Sequence, residues 1–501
     1  MPLILALDQS TSASKALLFQ TDGELLDRES RDHRQHYPRP GWVEHDAEEI
    51  WRNSLLVLRT LLGRQAARLG QLAGLSITNQ RETVVVFERG TGRPLHPAIV
   101  WQCRRGEARC AEHVAAGREE LMRARTGLRI DPYFSASKLQ WLVRNRPELR
   151  ARLAAGEALI GTVEVYLIYR LTRGAVFAGD STNASRTLLF DIGRLAWDGE
   201  LCALWEVPRA ALPEVRDSFA RFGETTIEGA LPRPLPICGV MGDSQAALFA
   251  QGCFAPGSAK VTFGTGSSVL VNTGPERRRS GRGGVTALAW VRASQPVYAL
   301  EGLIVSAAST LTWLRDQLQI LPDLDEVEAI AAGLPDNGGV YLVPAFSGLG
   351  FPHWAPAARA AVVGLSTHSD RRHLVRAALE SIAYQLGDAF AALRAEAAAA
   401  LEVVHCDGGP TTNGFLMQFT ADLTGAELRV PPMPDCSALG AARAGMLGLG
   451  LATSLEALAA PPRAGVAYRP RMDQNQRGRL VEGWRNALRM TVSTPLVFPP
   501  P

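Results

Sequence analysis

Two strand–turn–strand segments of the same kind, about half a chain apart, constrain the fold more than any other feature of this sequence. The first is "LILALDQSTSASKALLFQ" (residues 3–20), and the second is "AKVTFGTGSSVLVNTG" (residues 259–274). Each apolar run has the length of a buried strand, and each turn consists of small residues. Neither segment fits a Walker or dinucleotide-binding pattern, because neither turn passes directly into a helix. The repetition predicts two domains of similar design.

The rest of the first half alternates strand and helix patterns. "GELLDRES" (residues 23–30) predicts a third strand of an antiparallel meander. Asp46 and Glu49 resemble a capping box that opens an amphipathic helix. Short apolar strands follow at "AGLSIT" (residues 73–78) and "VVVFE" (residues 84–88). Strand–helix–strand order of this kind predicts an α/β fold.

The second half of the chain shows the same alternation of strand and helix patterns. Helices are predicted over residues 306–320 and 371–401, and "VVHCDGGPTTNGF" (residues 403–415) predicts a strand, a glycine turn and a helix start. We therefore expect an N-terminal domain over residues 1–250 and a C-terminal domain over residues 251–501.

Composition excludes several classes of protein. The chain has 501 residues, of which 46% are hydrophobic and 21% charged, as in ordinary globular proteins. A net charge of +3 gives no case for binding nucleic acid or a membrane surface. Seven cysteines without C-x-x-C spacing predict reduced core thiols. With neither a signal peptide nor a membrane span in the pattern, we expect a cytoplasmic protein whose sequence is compatible with a homo-oligomer. The tail "STPLVFPPP" (residues 493–501) is expected to be frayed.

The small-residue turns are candidate phosphate sites. Turns of this kind can bring backbone N–H groups and hydroxyls close to a phosphate. Lys15 would add a positive charge, and Asp8 could hold a metal ion through water. Further on, the glycine pair of "CDGGPTTNGF" (residues 406–415) would admit a flat ligand, with Asn413 at a nucleobase edge. The alternatives are plain hairpins and a tight turn followed by a helix cap.

A second group of residues suits a small polyol. Arg81 and Glu82 follow a buried strand, where ligands bind in α/β folds, and could donate to and accept from hydroxyl groups. Trp101 and Tyr133 lie in polar surroundings and could cover the C–H faces of a polyol. A surface ion pair and ordinary core packing are the respective alternatives.

Asp243 is the candidate general base. It stands between the apolar strand pattern "ICGVMG" (residues 237–242) and the helix pattern that follows. A carboxylate there could take a proton from an attacking hydroxyl. Aspartate is also a favoured helix cap, and spacing alone does not separate the two roles.

Taken together, several long motifs resemble the FGGY carbohydrate kinases, most closely the glycerol kinases among them. The resemblance runs nearly end to end along the chain. It rests on the runs "YPRPGWVEHD", "ITNQRET", "IVWQCRR", "TGLRIDPYFSASK", "STNASRTLLFDI", "VPAFSGLG" and "NGFLMQF". Motifs of this length in this order are specific to the family.

The resemblance implies two ribonuclease-H-like domains of the actin and hexokinase type, with ATP and substrate meeting in the cleft between them. It implies phosphorylation of a terminal hydroxyl of a polyol, glycerol in the first place, with Asp243 as the catalytic base. The implied polyol-binding residues are Arg81, Glu82, Trp101, Tyr133, Asp243, Ser244 and Ser268. The implied Mg²⁺ site is Asp8 and Asp243. The implied ATP-binding residues are Thr11, Ser12, Lys15, Gly264, Thr265, Gly266, Ala308, Thr312, Gly409 and Asn413.

Two departures from the family pattern concern the substrate. Ser244 stands where these kinases usually have glutamine, and Ser268 stands where they usually have phenylalanine. Two serines should leave a larger and wetter pocket, so a polyol or ketose of four or five carbons is the alternative substrate. A second alternative is a non-catalytic ATP-binding protein resembling actin or the heat-shock chaperones. The cluster of Arg81, Glu82, Trp101 and Tyr133 argues against it, because that class needs no alcohol site.

Overall fold

The structure is a computed structural model that describes residues 1–459 and 465–493. Its strands are β1 (Leu3–Gln9), β2 (Ala13–Gln20), β3 (Leu25–Asp32), β4 (Glu44–His45), β5 (Leu72–Asn79), β6 (Val84–Glu88), β7 (Ala98–Ile99), β8 (Ala158–Thr162), β9 (Ala178–Asp180), β10 (Phe190–Asp191), β11 (Ala196–Trp197), β12 (Glu214–Arg216), β13 (Arg221–Thr225), β14 (Leu235–Gly242), β15 (Ala259–Phe263), β16 (Ser267–Gly274), β17 (Val285–Arg292), β18 (Gln295–Ile304), β19 (Tyr341–Val343), β20 (Ala361–Val363), β21 (Val403–Asp407), β22 (Glu427–Val430) and β23 (Val466–Tyr468). Its α-helices are α1 (Ala47–Arg64), α2 (Glu107–Ala115), α3 (Glu119–Thr126), α4 (Ser135–Asn145), α5 (Pro147–Ala154), α6 (Val163–Leu171), α7 (Ser181–Ala184), α8 (Gly199–Leu204), α9 (Asp243–Ala250), α10 (Ser309–Asp316), α11 (Val327–Ala332), α12 (Arg371–Ala397), α13 (Gly414–Thr424), α14 (Cys436–Gly448), α15 (Glu456–Ala459) and α16 (Gln474–Ser493). The predicted frayed tail lies outside the described residues beyond Ser493.

The first large sheet begins with the predicted meander. Its strand order is β13-β14-β5-β1-β2-β3. Strands β1, β2 and β3 pair antiparallel, whereas β1, β5 and β14 run parallel. Helices α1 and α6 pack against this sheet and bury its apolar side chains.

The second large sheet repeats the arrangement. Its order is β17-β18-β16-β15-β21-β22-β23, with β15, β16 and β18 antiparallel and β15, β21 and β22 parallel. In both sheets three antiparallel strands are therefore extended by parallel strands on the side of the first of the three. The predicted α/β fold with two ribonuclease-H-like units is confirmed.

Two helices lie between the large sheets. Helix α14 packs against β1, β5 and β14 of the first sheet, and α9 packs against α14 and against β15, β16 and β17 of the second. The apolar cluster around them includes Ile4 and Phe19 from the first sheet and Leu270 and Trp290 from the second. The two halves of the chain thus share a buried core.

Pairing register brings the carboxyl ends of the parallel strands to one edge of each sheet. Gln9 and Gly242 both lie opposite Asn79, and Thr262 lies opposite Asp407. The polar segments that follow these strands therefore start side by side, as expected of ligand sites in α/β folds.

Two predicted helices prove too long. The prediction over residues 306–320 is wrong at both ends of α10, because the N–H groups before it bind the preceding glycine turn and Gln319 adopts a positive φ of 55°. The prediction over residues 371–401 is wrong at its end, because Ala398 turns left-handed at φ 49° after α12.

The predicted capping box is half correct. The Asp46 carboxylate caps α1 by accepting a hydrogen bond from the Glu48 N–H at 2.9 Å. Glu49 does not complete the box, because its carboxylate accepts from the Arg34 N–H instead, at 3.4 Å.

Two further observations on the described residues concern the cysteines and the length and polarity of the helices. All seven cysteines are buried and unpaired, as predicted. Within residues 1–459 and 465–493 every helix is too short or too polar to cross a bilayer.

The close packing of α14 on α9 depends on Gly440. A Cβ atom there would lie 1.8 Å from the carbonyl oxygen of Ala246. We expect Gly440→Ala to lower the free energy of unfolding by about 2 kcal/mol or more, because the two helices would have to separate. Urea denaturation of the purified variant measures this loss.

Gly387→Ala is the matched control. Gly387 also lies inside a helix, α12, but a Cβ atom there meets nothing within 4 Å. Alanine should raise stability by up to about 1 kcal/mol through helix propensity. Equal unfolding free energies for the two variants would contradict the proposed helix contact.

Candidate active site

A chain of alternating charges lies where β5 ends. Arg81 Nε is 3.1 Å from Asp243 Oδ1, and Arg81 Nη2 is 2.9 Å from Glu301 Oε1. The other oxygen of Glu301 lies 2.6 Å from Arg186 Nη1. Arg186 in turn donates from Nε to Glu82 Oε1 at 2.6 Å. The order is Asp243, Arg81, Glu301, Arg186 and Glu82, so each arginine lies between two carboxylates.

Burial distinguishes this chain from a surface ion pair. Arg81 and Glu82 are 5% and 1% exposed, and each pairs with a distant residue rather than with its neighbour. Burial raises the pKa of Glu301, but Arg186 and Arg81 outweigh that effect and hold its pKa at about 2. For Glu82 burial prevails over the two arginines and raises the pKa. Glu301 is therefore a buried anion at neutral pH. The alternative that Arg81 and Glu82 form a surface ion pair is therefore wrong.

Asp243 is the accessible end of the chain. Its side chain is 39% exposed, and its carboxylate accepts a hydrogen bond from the Ser244 N–H at 2.6 Å. Gly242 occupies the cap position of α9, so the side chain of Asp243 does not cap the helix. The structure thus presents a carboxylate that is held by Arg81 and open to a ligand.

A polar network supports the peptide before Asp243. The Gly242 N–H donates to Thr182 Oγ1 at 2.9 Å, and that hydroxyl donates to Asp180 Oδ2 at 2.7 Å. Ser218 also donates to Asp180, at 2.9 Å. Thr182 and Arg186 both belong to "STNASR" (residues 181–186), a run that resembled the family without revealing these roles.

The predicted aromatic residues lie together beside the first turn. The ring centroids of Trp101 and Tyr133 are 5.2 Å apart, and both side chains are partly exposed. Trp101 Nε1 donates to Thr11 Oγ1 at 3.0 Å, which links the aromatic pair to the turn of Thr11 and Ser12. Burial raises the pKa of Tyr133, so its phenol stays neutral. The pair therefore packs against the neighbouring apolar core and keeps part of its surface exposed.

Lys15 has a partner that the sequence did not suggest. Its Nζ lies 2.9 Å from Asp435 Oδ1 and 4.0 Å from Asp8 Oδ2. Arg28 reaches the same Asp435 carboxylate at 3.3 Å. Asp435 directly precedes α14, and an acid before a helix pattern was the signal that could have found it. Lys15 thus joins the first sheet to the second half of the chain.

The carboxylates near the first turn fit a divalent cation. Burial raises the pKa of Asp8 to about 7; Lys15 opposes this, whereas Asp435 and Asp243 add to it. Asp8 and Asp243 are therefore close enough to repel each other, and a cation between them would relieve that repulsion. Mg²⁺ typically takes one or two carboxylates together with phosphate oxygens. Among the described residues no group of three or more His, Cys, Asp or Glu forms a metal cage.

On the second sheet, the structure brings the glycine turn and α10 together. The N–H groups of Ala307 and Ala308 donate to the carbonyls of Thr265 and Gly264, at 2.9 and 3.1 Å. Thr312 lies one helical turn further on, where its hydroxyl reaches the Ala308 carbonyl at 3.5 Å. The predicted residues of this segment thus lie next to one another.

The second glycine turn packs against the first. Gly408 has a φ of 101°, and a Cβ atom there would lie 1.8 Å from the Phe263 carbonyl oxygen. This contact places Gly409 next to the turn that begins at Gly264. Asn413 Oδ1 accepts from the Leu416 N–H at 2.8 Å, so this side chain does cap α13.

A buried lysine, Lys260, lies below these turns, and the sequence assigned it no role. Lys260 Nζ donates to Thr262 Oγ1, and Asp407 Oδ2 accepts from Gln251 at 2.6 Å. Burial lowers the pKa of Lys260, although the Asp407 carboxylate opposes this. Both residues support the turns from beneath.

The two unexpected serines differ in their surroundings. Ser268 Oγ donates to Glu301 Oε1 at 2.8 Å and so joins the chain of charges. Ser244 lies beside Asp243, and its hydroxyl makes no hydrogen bond to any residue within the described ranges.

Removing one arginine from the chain of charges should be costly. We expect Arg186→Met to lower the free energy of unfolding by about 3 kcal/mol or more, because Glu82 would lose its ion pair in a buried site. Chemical denaturation checks this loss. Arg279→Met is the control, since its pair with Glu120 is exposed and screened by water. A similar loss in both variants would contradict the importance of burial.

Comparison with known proteins shows which family the chain resembles. The N-terminal domain model of the FGGY family of carbohydrate kinases matches residues 3–250, and the C-terminal domain model matches residues 259–449. The glycerol kinase of Desulfitobacterium hafniense is 43% identical over 97% of this chain and 98% of its own length. Glycerol kinase 1 of Thermotoga maritima is 44% identical over 97% of this chain and 99% of its own.

Solved structures agree with this placement. The Plasmodium falciparum glycerol kinase with ADP superposes with a TM-score of 0.90 at 34% identity, covering 98% of each chain. A xylulose kinase from Rhodospirillum rubrum superposes with a TM-score of 0.83 at 25% identity, covering 98% of this chain and 99% of its own. The chain belongs to the FGGY family of carbohydrate kinases.

Proposed function

We propose that this protein transfers the γ-phosphoryl group of ATP to a terminal hydroxyl of glycerol, giving glycerol 3-phosphate. The observation that carries the proposal is the open carboxylate of Asp243, held 3.1 Å from buried Arg81. Relatives named glycerol kinases at 43–44% identity over nearly the whole chain support glycerol as the acceptor. Family membership favours this enzyme over a non-catalytic ATP-binding protein, and its use of ATP and glycerol suits the cytoplasm.

The N-terminal half supplies the acceptor site in this proposal. Arg81 and Glu82 would bind glycerol hydroxyls, while Trp101 and Tyr133 would cover its C–H face and exclude water. Asp243 would accept the proton of the attacking hydroxyl, and the hydrogen bond that the Gly242 N–H donates to Thr182 Oγ1 fixes the backbone from which this carboxylate projects. Since phosphoryl transfer depends mainly on positioning and charge, a preset site of this kind accounts for much of the catalysis.

The ATP site would use both halves of the chain. Thr11, Ser12 and Lys15 would contact phosphates from the first turn. The nucleotide would lie on the surface made by Gly264, Thr265, Gly266, Ala308, Thr312, Gly409 and Asn413. Asp8 and Asp243 would hold Mg²⁺, which neutralises phosphate charge when bound. This division assigns residues 1–250 to the polyol and part of the phosphate site, and residues 251–501 to the nucleotide.

Asp243→Asn tests the catalytic base. The amide keeps the size of the side chain but cannot take up the hydroxyl proton, so we expect turnover to fall by ~10²–10⁴-fold. Folding and ATP binding should persist. A coupled assay of ADP release with glycerol measures turnover, and calorimetry measures ATP binding.

Asp46→Asn is the matched control for that change. Asp46 caps α1 through its carboxylate, and asparagine caps a helix equally well. We expect wild-type turnover from this variant. Near-wild-type turnover of Asp243→Asn would refute the catalytic role.

A substrate panel tests the pocket around Ser244 and Ser268. A misfit of about one methylene changes kcat/KM by ~10–200-fold, so a wider pocket should accept four- and five-carbon polyols and ketoses as well as or better than glycerol. Ser268→Phe should shift the ratio of efficiencies towards glycerol. Wild-type kcat/KM clearly highest for glycerol would overturn the wider-pocket hypothesis while leaving the kinase in place.

A further inference from the structure

Glu301 is the one member of the chain of charges that comes from the second sheet. It lies on β18 and is 1% exposed. Its partners Arg81 and Arg186 both come from the first half of the chain, at 2.9 and 2.6 Å. Ser268, its neighbour on β16, donates to the same oxygen as Arg81, at 2.8 Å. One carboxylate of the second half therefore orients two arginines of the first.

The strand that carries Glu301 also leads to the turn of Gly264, Thr265 and Gly266, the nucleotide turn of the proposed ATP site. Ile304, at the end of β18, lies opposite Ser267, which directly follows Gly266. Ala307, three residues after Ile304, donates its N–H to the Thr265 carbonyl at 2.9 Å. A displacement of β18 would therefore act on both sites.

Without Glu301 the acceptor site would lose its geometry. Arg81 would keep Asp243 and Gln245 as partners, at 3.1 and 3.3 Å, and both lie on α9. Nothing among these contacts would then hold the Nη2 edge of the guanidinium. Arg186 would keep only Glu82 as an ion-pair partner among the described residues.

We propose that Glu301 is a positioning residue for the acceptor alcohol: from the second domain it fixes Arg81 and Arg186, so that the polyol site is complete only when the two domains are docked. This inference rests on the proposed function and adds a residue outside the implied polyol set. Glu301 acts through Arg81 and Arg186 and makes no contact with the reacting atoms.

Glu301→Gln is the test, because it removes the charge and keeps the shape. We expect the KM for glycerol to rise at least about tenfold, since the uncharged amide weakens the hydrogen bond from Arg81 and abolishes the ion pair with Arg186. The KM for ATP should change less than about twofold, because the nucleotide turn keeps its backbone hydrogen bonds. A merely structural defect would not separate the two constants.

Glu380→Gln is the matched control. Glu380 is also 1% exposed and pairs with an arginine, Arg376, at 2.7 Å, but it lies on α12 and has no contact with the chain of charges. We expect it to lower thermal stability and to leave both KM values within about twofold of wild type. A glycerol KM within twofold of wild type for Glu301→Gln, or an equal rise in both variants, would overturn the proposal.

Ser268→Ala keeps the proposal testable if Glu301→Gln fails to fold. It deletes the hydroxyl that donates to Glu301 and leaves every charge in place. The glycerol KM should rise about threefold or more, and an unchanged glycerol KM would overturn the proposal. A wild-type protein that phosphorylates no polyol would refute the proposed function, whereas an active wild type with an unaltered Glu301→Gln KM would refute only the positioning role.

Discussion

Four charged side chains, Arg81, Glu82, Arg186 and Glu301, are buried together in one water-poor site, and each is stabilised there by an oppositely charged neighbour. An isolated charge in such a place would be too costly, so each arginine must meet two carboxylates. This requirement reaches across the molecule, because Arg81 and Arg186 belong to the first half and Glu301 to the second. The relative placement of the two sheets is therefore coupled to the electrostatics of the site.

Most of the framework could be predicted from the sequence because it depends on local pattern. Apolar runs of strand length predicted the first meander and the hairpin of β15 and β16, and small-residue turns predicted their connections, whereas β17 and β18 were not predicted. The alignment of Gln9, Asn79 and Gly242 also follows, since parallel strands end at a common edge. Helix ends were less predictable: the apolar pattern continues past α10 at both ends, but tertiary hydrogen bonds to the glycine turn decide where it begins.

The pairing within the site could not be predicted. Arg81 and Glu82 are neighbours of opposite charge, which suggests a pair between them. In the structure Glu82 has a positive φ of 62°, and the two side chains take different partners. Those partners, Glu301 and Arg186, are more than 100 residues away, and a single sequence carries no signal for contacts at that separation. The pairing of Asp435 with Lys15 could not be predicted for the same reason, because 420 residues separate the two.

The packing of α14 has a consequence for how the protein is made. This helix lies near the end of the chain, yet it covers β1, β5 and β14, which are synthesised in the first half. During translation that face of the first sheet stays uncovered until α14 has been made. Apolar residues such as Ile4 and Ala6 lack their final packing partners until then. The first sheet can thus acquire its full cover only after nearly all of the second domain has left the ribosome, so the two domains are successive in sequence but not independent in folding.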